Sequence, residues 1–279
     1  MPSMDRMPTL FVSHGSPMTA LDPREAGAWW QRLGPAIEAA FGRPKAILAV
    51  SAHSLTREPV LLAAPRHEAV YDFGGFDPKL YTLRYDAPGA PELATRVQAL
   101  LQAAGLPVHR VDEGGLDHGI WVPLRSMWPG AEIPVLPLAW PPDWSPQRLF
   151  ELGRALAPLA EEGVLVMGSG SITHNLRRVF ANGRFDRPDT PATPESTAFR
   201  QWFVDHTAAA DWPALFEYRT QAPHAALMHP TDEHLLPFYV AAGAAGEGAS
   251  GRRIHASLTF GDLGMDAFAF GERAEALAA

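Results

Sequence analysis

Five of the 11 histidines stand where imidazoles can do chemistry together. His14 follows an apolar run in "LFVSHGSP", His53 follows a second in "ILAVSAHSLT", and His174 follows a third in "VLVMGSGSITHNLRR". His118 in "GGLDHGIWVPL" and His234 in "HPTDEHLLP" sit in Gly- or Asp-rich turns or at helix starts. Neutral imidazole binds zinc and non-haem iron, and it titrates near neutral pH, so a convergent set can hold a metal and move protons. Taken singly, each is more often a loop cap or a hydrogen-bonded core group. Their shared setting is what suggests a site. The other six have weaker settings. His67 has no distinctive one, His109 and His206 read as surface residues, and His255 reads as part of a strand. His224 and His229 are neighbours of the His234 segment, with a structural role preferred.

The remaining chemistry is thin. "GSGS" at 168–171 lacks the Gly-Lys-Ser/Thr of a phosphate loop. Ser16 in "HGSP" is not in a G-x-S-x-G elbow, and there is no H-E-x-x-H. The absence of cysteine excludes disulfides, thiolate metal sites and cysteine nucleophiles. Glu233 and His234 read as the opening of a helix, where adjacent side chains point about 100° apart, so one ion would take only one of them.

To converge, these residues need strands ending on one edge. Continuous apolar runs predict buried strands at Thr9–Val12, Ala46–Val50, Ile133–Leu138 and Val164–Met167. Helical patterns fall at 25–42, 90–105, 145–163, 193–208 and 232–245, the first two closed by Gly42 and Gly105 and the third opened by Ser145 and Pro146. Residues 252–271 alternate as a hairpin does. The expected fold is α/β: a central, mostly parallel sheet flanked by helices, with a C-terminal β-hairpin, in a single domain over 1–279. Ligands of such sheets bind beyond the carboxyl ends of the strands, where His14, His53 and His174 are predicted. Residues 71–91 form the longest irregular stretch, rich in glycine and aromatics, and long loops are often functional.

The net charge of -8 argues against a nucleic-acid partner, which needs a basic face. No basic leader precedes a long apolar run, and no apolar segment nears the roughly 20 residues that span a bilayer. A cytoplasmic protein without membrane partners is expected, as a monomer or small homo-oligomer.

Six segments come in order: "LFVSHGSPM", "AVSAHS", "YDFGGFDPKLYTLRYDAPG", "LDHGIWVPL", "GSGSITHNLR" and "HPTDEHLLP". Together they resemble the class III extradiol ring-cleaving dioxygenases of the DOPA 4,5-dioxygenase type, from about residue 7 to about 270. The resemblance implies a non-haem metal on His14, His53 and His234, with Glu233 as the alternative to His234. It implies His174 as acid/base and His118 as a second pocket histidine. The implied reaction opens a small catecholic substrate with O₂ to a semialdehyde. Fe(II) is expected for activity, because opening the ring with O₂ needs a metal that exchanges electrons, while three imidazoles would also accept Zn(II). Tyr71, Phe73, Phe76 and Tyr81 are candidate pocket walls, most of them preferred as packing residues. Trp121 is a possible stacking partner and Arg177 a possible partner for a substrate carboxylate. The competing classes are a zinc-dependent hydrolase and a non-catalytic metal- or aromatic-binding member of the same fold.

Overall fold

An apolar run whose side chains alternate between two covered faces leaves none of them to solvent. In residues 9–13, Leu10 and Val12 enter one core layer and Phe11 the other, all fully buried. The computed structural model describes residues 6–181, 183, 187–246 and 248–278. Among these the strands are β1 (Thr9–Ser13), β2 (Ala46–Ser51), β3 (Val60–Leu62), β4 (Arg66–His67), β5 (Ala87–Pro88), β6 (His109–Val111), β7 (Val135–Ala139), β8 (Val164–Gly170), β9 (Gly251–His255), β10 (Leu258–Thr259), β11 (Leu263–Gly264) and β12 (Ala267–Phe270). The helices are α1 (Arg24–Phe41), α2 (Pro91–Ala103), α3 (His118–Met127), α4 (Pro146–Ala155), α5 (Leu176–Ala181), α6 (Pro194–Ala208) and α10 (Pro237–Ala244). Three helices of four or five residues, α7 (Trp212–Phe216), α8 (Tyr218–Gln221) and α9 (Ala225–Met228), lie between the last two.

Eight strands form the central sheet, in the order β6-β3-β7-β2-β8-β1-β12-β9. The four in the middle, β7, β2, β8 and β1, run parallel, so their carboxyl ends share one edge. β12 and β9 extend the sheet antiparallel, as the expected C-terminal hairpin, and the ladder β10–β11 occupies the segment between them. One face carries Leu10, Val12, Ile47, Ala49 and Leu165 against α1 and α3. The other carries Phe11, Leu48, Val50 and Val166 against α4, α6 and α10. α10 is buried along its whole length, as a helix apolar on every side must be. The α/β architecture is thus the one expected.

Boundaries differ where proline intervenes. The third predicted strand starts at Val135 rather than Ile133, after Pro134, which cannot donate to a ladder. The helix predicted over 145–163 stops at Ala155, and residues 157–160, containing Pro158, form a separate 3₁₀ turn. The helix predicted from 232 starts at Pro237. A helix begun at 232 would need an N–H at 237 to bond the carbonyl of Glu233, and proline has none. Glu233 and His234 therefore lie in a turn, contrary to expectation. Of the turn and helix-start settings open to His118, it takes the second, at the start of α3. Among the described residues, no helix is long and apolar enough to cross a membrane.

Candidate metal centre and active site

The parallel strands deliver three of the histidines to one edge. His14 directly follows β1, and its backbone N–H donates to Gly170 O at 2.9 Å, which extends the β1–β8 ladder by one bond. The chain turns away at Gly15, whose φ of +64° is open to glycine at little cost. His53 comes two residues after β2. His174 follows β8, its N–H donating to Met228 O at 2.9 Å. The His234 turn is pressed against the end of β8: Ser171 N–H donates to His234 O at 2.7 Å, and a methyl group at Gly170 would run into that same carbonyl. His118 begins α3. All five singled-out histidines converge.

His14, His53 and His234 each offer a ring nitrogen within 4.8 Å of the others. The Nε2 atoms of His14 and His53 are 3.1 Å apart, so they either share a proton or face a common cation. Ser169 hydroxyl donates to Gly119 O and so accepts from His14 Nδ1–H at 3.0 Å. This fixes the tautomer and leaves the His14 Nε2 lone pair for an ion. Glu233 does the same for His234, accepting from Nδ1 at 3.0 Å and from Thr231 hydroxyl at 3.0 Å. Metal binding also needs uncharged rings. Burial, then the neighbouring imidazoles, hold His14 well below the usual histidine range, and burial with His118 and His234 lowers His53 to about 3. The His234 hydrogen bond holds Glu233 low, at about 2. This donor set fits a divalent metal. Two further groups, His53–Asp72–His118 and His174–Glu233–His234, could also hold an ion, and each shares a histidine with the first.

The other two histidines complete the site. His174 stacks on His234, with ring centroids 3.5 Å apart and 6° between planes, and burial keeps it well below its ordinary pKa. The centroid of His118 lies 4.1 Å from that of His53.

Two carboxylates that the sequence reading missed support this arrangement, one on the His118 ring and one on the turn that carries His53. Asp72 accepts from His118 Nδ1 at 2.9 Å and from its backbone N–H at 3.0 Å. Burial pushes Asp72 up, but its hydrogen bonds and attraction to His118 win and lower it. Asp117 accepts hydroxyls from Ser51 and Ser54, both at 2.6 Å, and so brackets His53 from either side. Its own burial raises its pKa against those bonds. The "LDH" segment hinted at Asp117 through adjacency. Asp72 lies 46 residues from His118, and no local pattern joins them.

A cavity of about 230 Å³ opens beside the five imidazoles. Phe73 and Phe76 wall it, while Tyr71 and Tyr81 pack against Phe73 instead. Trp121 is fully buried with its Nε1–H on Val70 O, behind the pocket rather than stacked in it. Arg177 is exposed and absent from the lining, which fits a surface residue rather than a carboxylate partner. His229 is fully buried against Phe199, not at a pocket mouth, and His255 stacks on Trp29.

A strand-edge cluster of this kind defines a metal-dependent class, and comparison gives its family. Residues 8–267 match the model of the catalytic LigB subunit of aromatic ring-opening dioxygenase. A 4,5-DOPA dioxygenase extradiol of Beta vulgaris is 39% identical over 269 residues, covering 94% of this chain and 96% of that one. A protein of the same name from Escherichia coli is 38% identical, covering 87% and 86%. An uncharacterized protein from Escherichia coli K12, known by crystal structure, superposes with a TM-score of 0.75 at 31% identity, covering 95% of this chain and all of that one. The chain belongs to the LigB family and is an extradiol ring-opening dioxygenase, acting on an aromatic compound with O₂ and dependent on a metal.

Proposed function

We propose that this dioxygenase opens the ring of a small catecholic compound, DOPA-like or other, beside its two hydroxyls, giving a semialdehyde. Fe(II) is the working metal, held by His14, His53 and His234. The observation that carries this reading is the convergence of those three ring nitrogens within 4.8 Å, with His118 and His174 facing the same cavity. Glu233 is left outside the ligand set because its carboxylate is engaged with His234 and Thr231. Iron bound there would supply the electron exchange with O₂ that zinc lacks.

The chain's own residues do the rest. His174, kept uncharged by burial, can take a catechol hydroxyl proton and return it when the ring opens. His118 has Nδ1 committed to Asp72, which leaves Nε2 for the ligand. Once Nε2 takes a proton from a ligand hydroxyl, the Asp72 carboxylate balances the charge on the ring, and the new N–H can donate to an oxygen gaining charge. Phe73 and Phe76 line the cavity and give a bound ring an apolar wall to pack against. Residues 1–279 act as one catalytic domain, a reading supported by a single central sheet that has His14 and His53 just past its strand ends and the His234 turn bonded to the end of β8. The acidic, cysteine-free chain is assigned to the cytoplasm, as a monomer or small homo-oligomer without a nucleic-acid partner.

The test is anaerobic loading with iron, followed by mixing with O₂ and a catechol series. Yellow semialdehyde absorbance should develop with the iron form and not with the zinc form. No turnover on any catechol at verified iron occupancy would overturn the reading.

A further inference from the structure

We propose that the catechol this enzyme prefers carries an uncharged, apolar substituent rather than a carboxylate or an amino-acid tail. The inference rests on the catechol reading above and narrows its substrate class.

Beyond the five imidazoles, the pocket is walled by Phe73, Phe76, Leu176, Val179, Phe180 and Leu263. Among the described residues lining it, none is lysine, arginine, aspartate or glutamate. Of its serine hydroxyls, Ser171 spends its proton on Thr173 O at 2.7 Å, and Ser16, which accepts from Met18 N–H at 3.2 Å, keeps a single O–H, too little to hold a carboxylate. Neither arginine that follows Leu176 lines the pocket. Arg177 is exposed and outside the lining. Arg178 turns the other way, onto Asp262 at 2.9 Å and Glu195 at 3.0 Å.

A second cavity of about 250 Å³ adjoins the first, sharing Ser16 and Phe260 with it. It holds one arginine, Arg24, which is already paired with Asp22 at 3.2 Å and Asp189 at 2.8 Å. Glu25 lines it as well, so its formal charge is negative and offers a carboxylate no home.

The metal serves the two catechol oxygens, which leaves the far end of the substrate against hydrocarbon. Burying a carboxylate there without a partner is heavily penalised. Each buried methylene should instead raise kcat/KM by about three- to fourfold, the equivalent of about 0.8 kcal/mol. A cavity of about 230 Å³ lies below the ~300 Å³ where drug-sized ligand sites begin, so one ring with a short substituent fits.

The iron-loaded protein should be assayed with 4-methyl-, 4-ethyl- and 4-propylcatechol against 3,4-dihydroxyphenylacetate, 3,4-dihydroxyphenylalanine and dopamine. The alkyl series should climb stepwise, with each charged catechol at least about tenfold below 4-propylcatechol. Affinities of the same compounds for the zinc-loaded protein, measured by calorimetry without turnover, should follow the same order. Leu176→Arg, at an exposed rim position, should raise the two acids relative to the alkyl catechols by about tenfold. A charged catechol outperforming 4-propylcatechol, or a flat response along the alkyl series, would overturn the preference while leaving ring opening intact. No turnover on any member would overturn the catechol reading and the preference together.

Discussion

A histidine becomes a metal ligand when one nitrogen gives up its lone pair and the other is held by something that accepts its proton. Ser169 and Glu233 are those acceptors for His14 and His234. Ser169→Ala removes the bond that sets the His14 tautomer and should weaken metal affinity by about 10- to 100-fold with the fold intact, as read by competition with a chelator. Asp72 hydrogen-bonds His118 and stands 3.7 Å from His53 Nδ1, beyond hydrogen-bond reach of that proposed ligand. Asp72→Ala should therefore keep the metal and lower kcat by about 10- to 100-fold with a small change in KM. Asp72→Asn, which can still accept from the ring and the backbone, should recover part of that loss. Equal loss in both variants, or loss of metal in either, would contradict this assignment. The histidines themselves were legible because each stands beside a recognisable strand end or turn. Asp72 and Ser169 were not, because their partners lie 46 and 155 residues away, and only the fold brings them into contact.

The elements fix where those residues meet. β1, β2 and β8 were readable as continuous apolar runs because strands covered on both faces leave no polar alternation. The short strands β3, β6 and β9 carry exposed or half-buried residues and do not show this signature. Helix ends were misread at Pro158 and Pro237, where apolar periodicity runs on but the missing N–H stops or delays the helix. That delay is what leaves His234 in a turn free to lean on β8. Gly170 is the contact point, since any side chain there meets the His234 carbonyl. Gly170→Ala should push the turn away, cost about 1–3 kcal/mol of stability and lower metal content, measured by denaturant unfolding and elemental analysis. Normal metal retention in this variant would show that the close approach does not position His234.

The whole molecule responds to acid through its buried imidazoles. Burial lowers His229 to about 4, from 6.5 for a free imidazole. Between those values the unfolded chain binds the proton and the folded chain does not, so stability is complete above about pH 6.5 and falls as pH drops toward about 4. His229 alone contributes on the order of 3 kcal/mol across that window. Denaturant unfolding of the metal-free protein at stepped pH should show this decline, and His229→Gln should flatten it. Unchanged slope in the variant would assign the acid sensitivity elsewhere. The most direct test of the whole account uses iron-loaded enzyme, a catechol and isotopically heavy dioxygen, with the product trapped before it exchanges oxygen with water and weighed by mass spectrometry. Both heavy atoms should appear in one ring-opened product, and His14→Ala, His53→Ala and His234→Ala should each lose iron and product together. A ring-opened product carrying one heavy atom or none, or one formed by a variant that holds no iron, would contradict it.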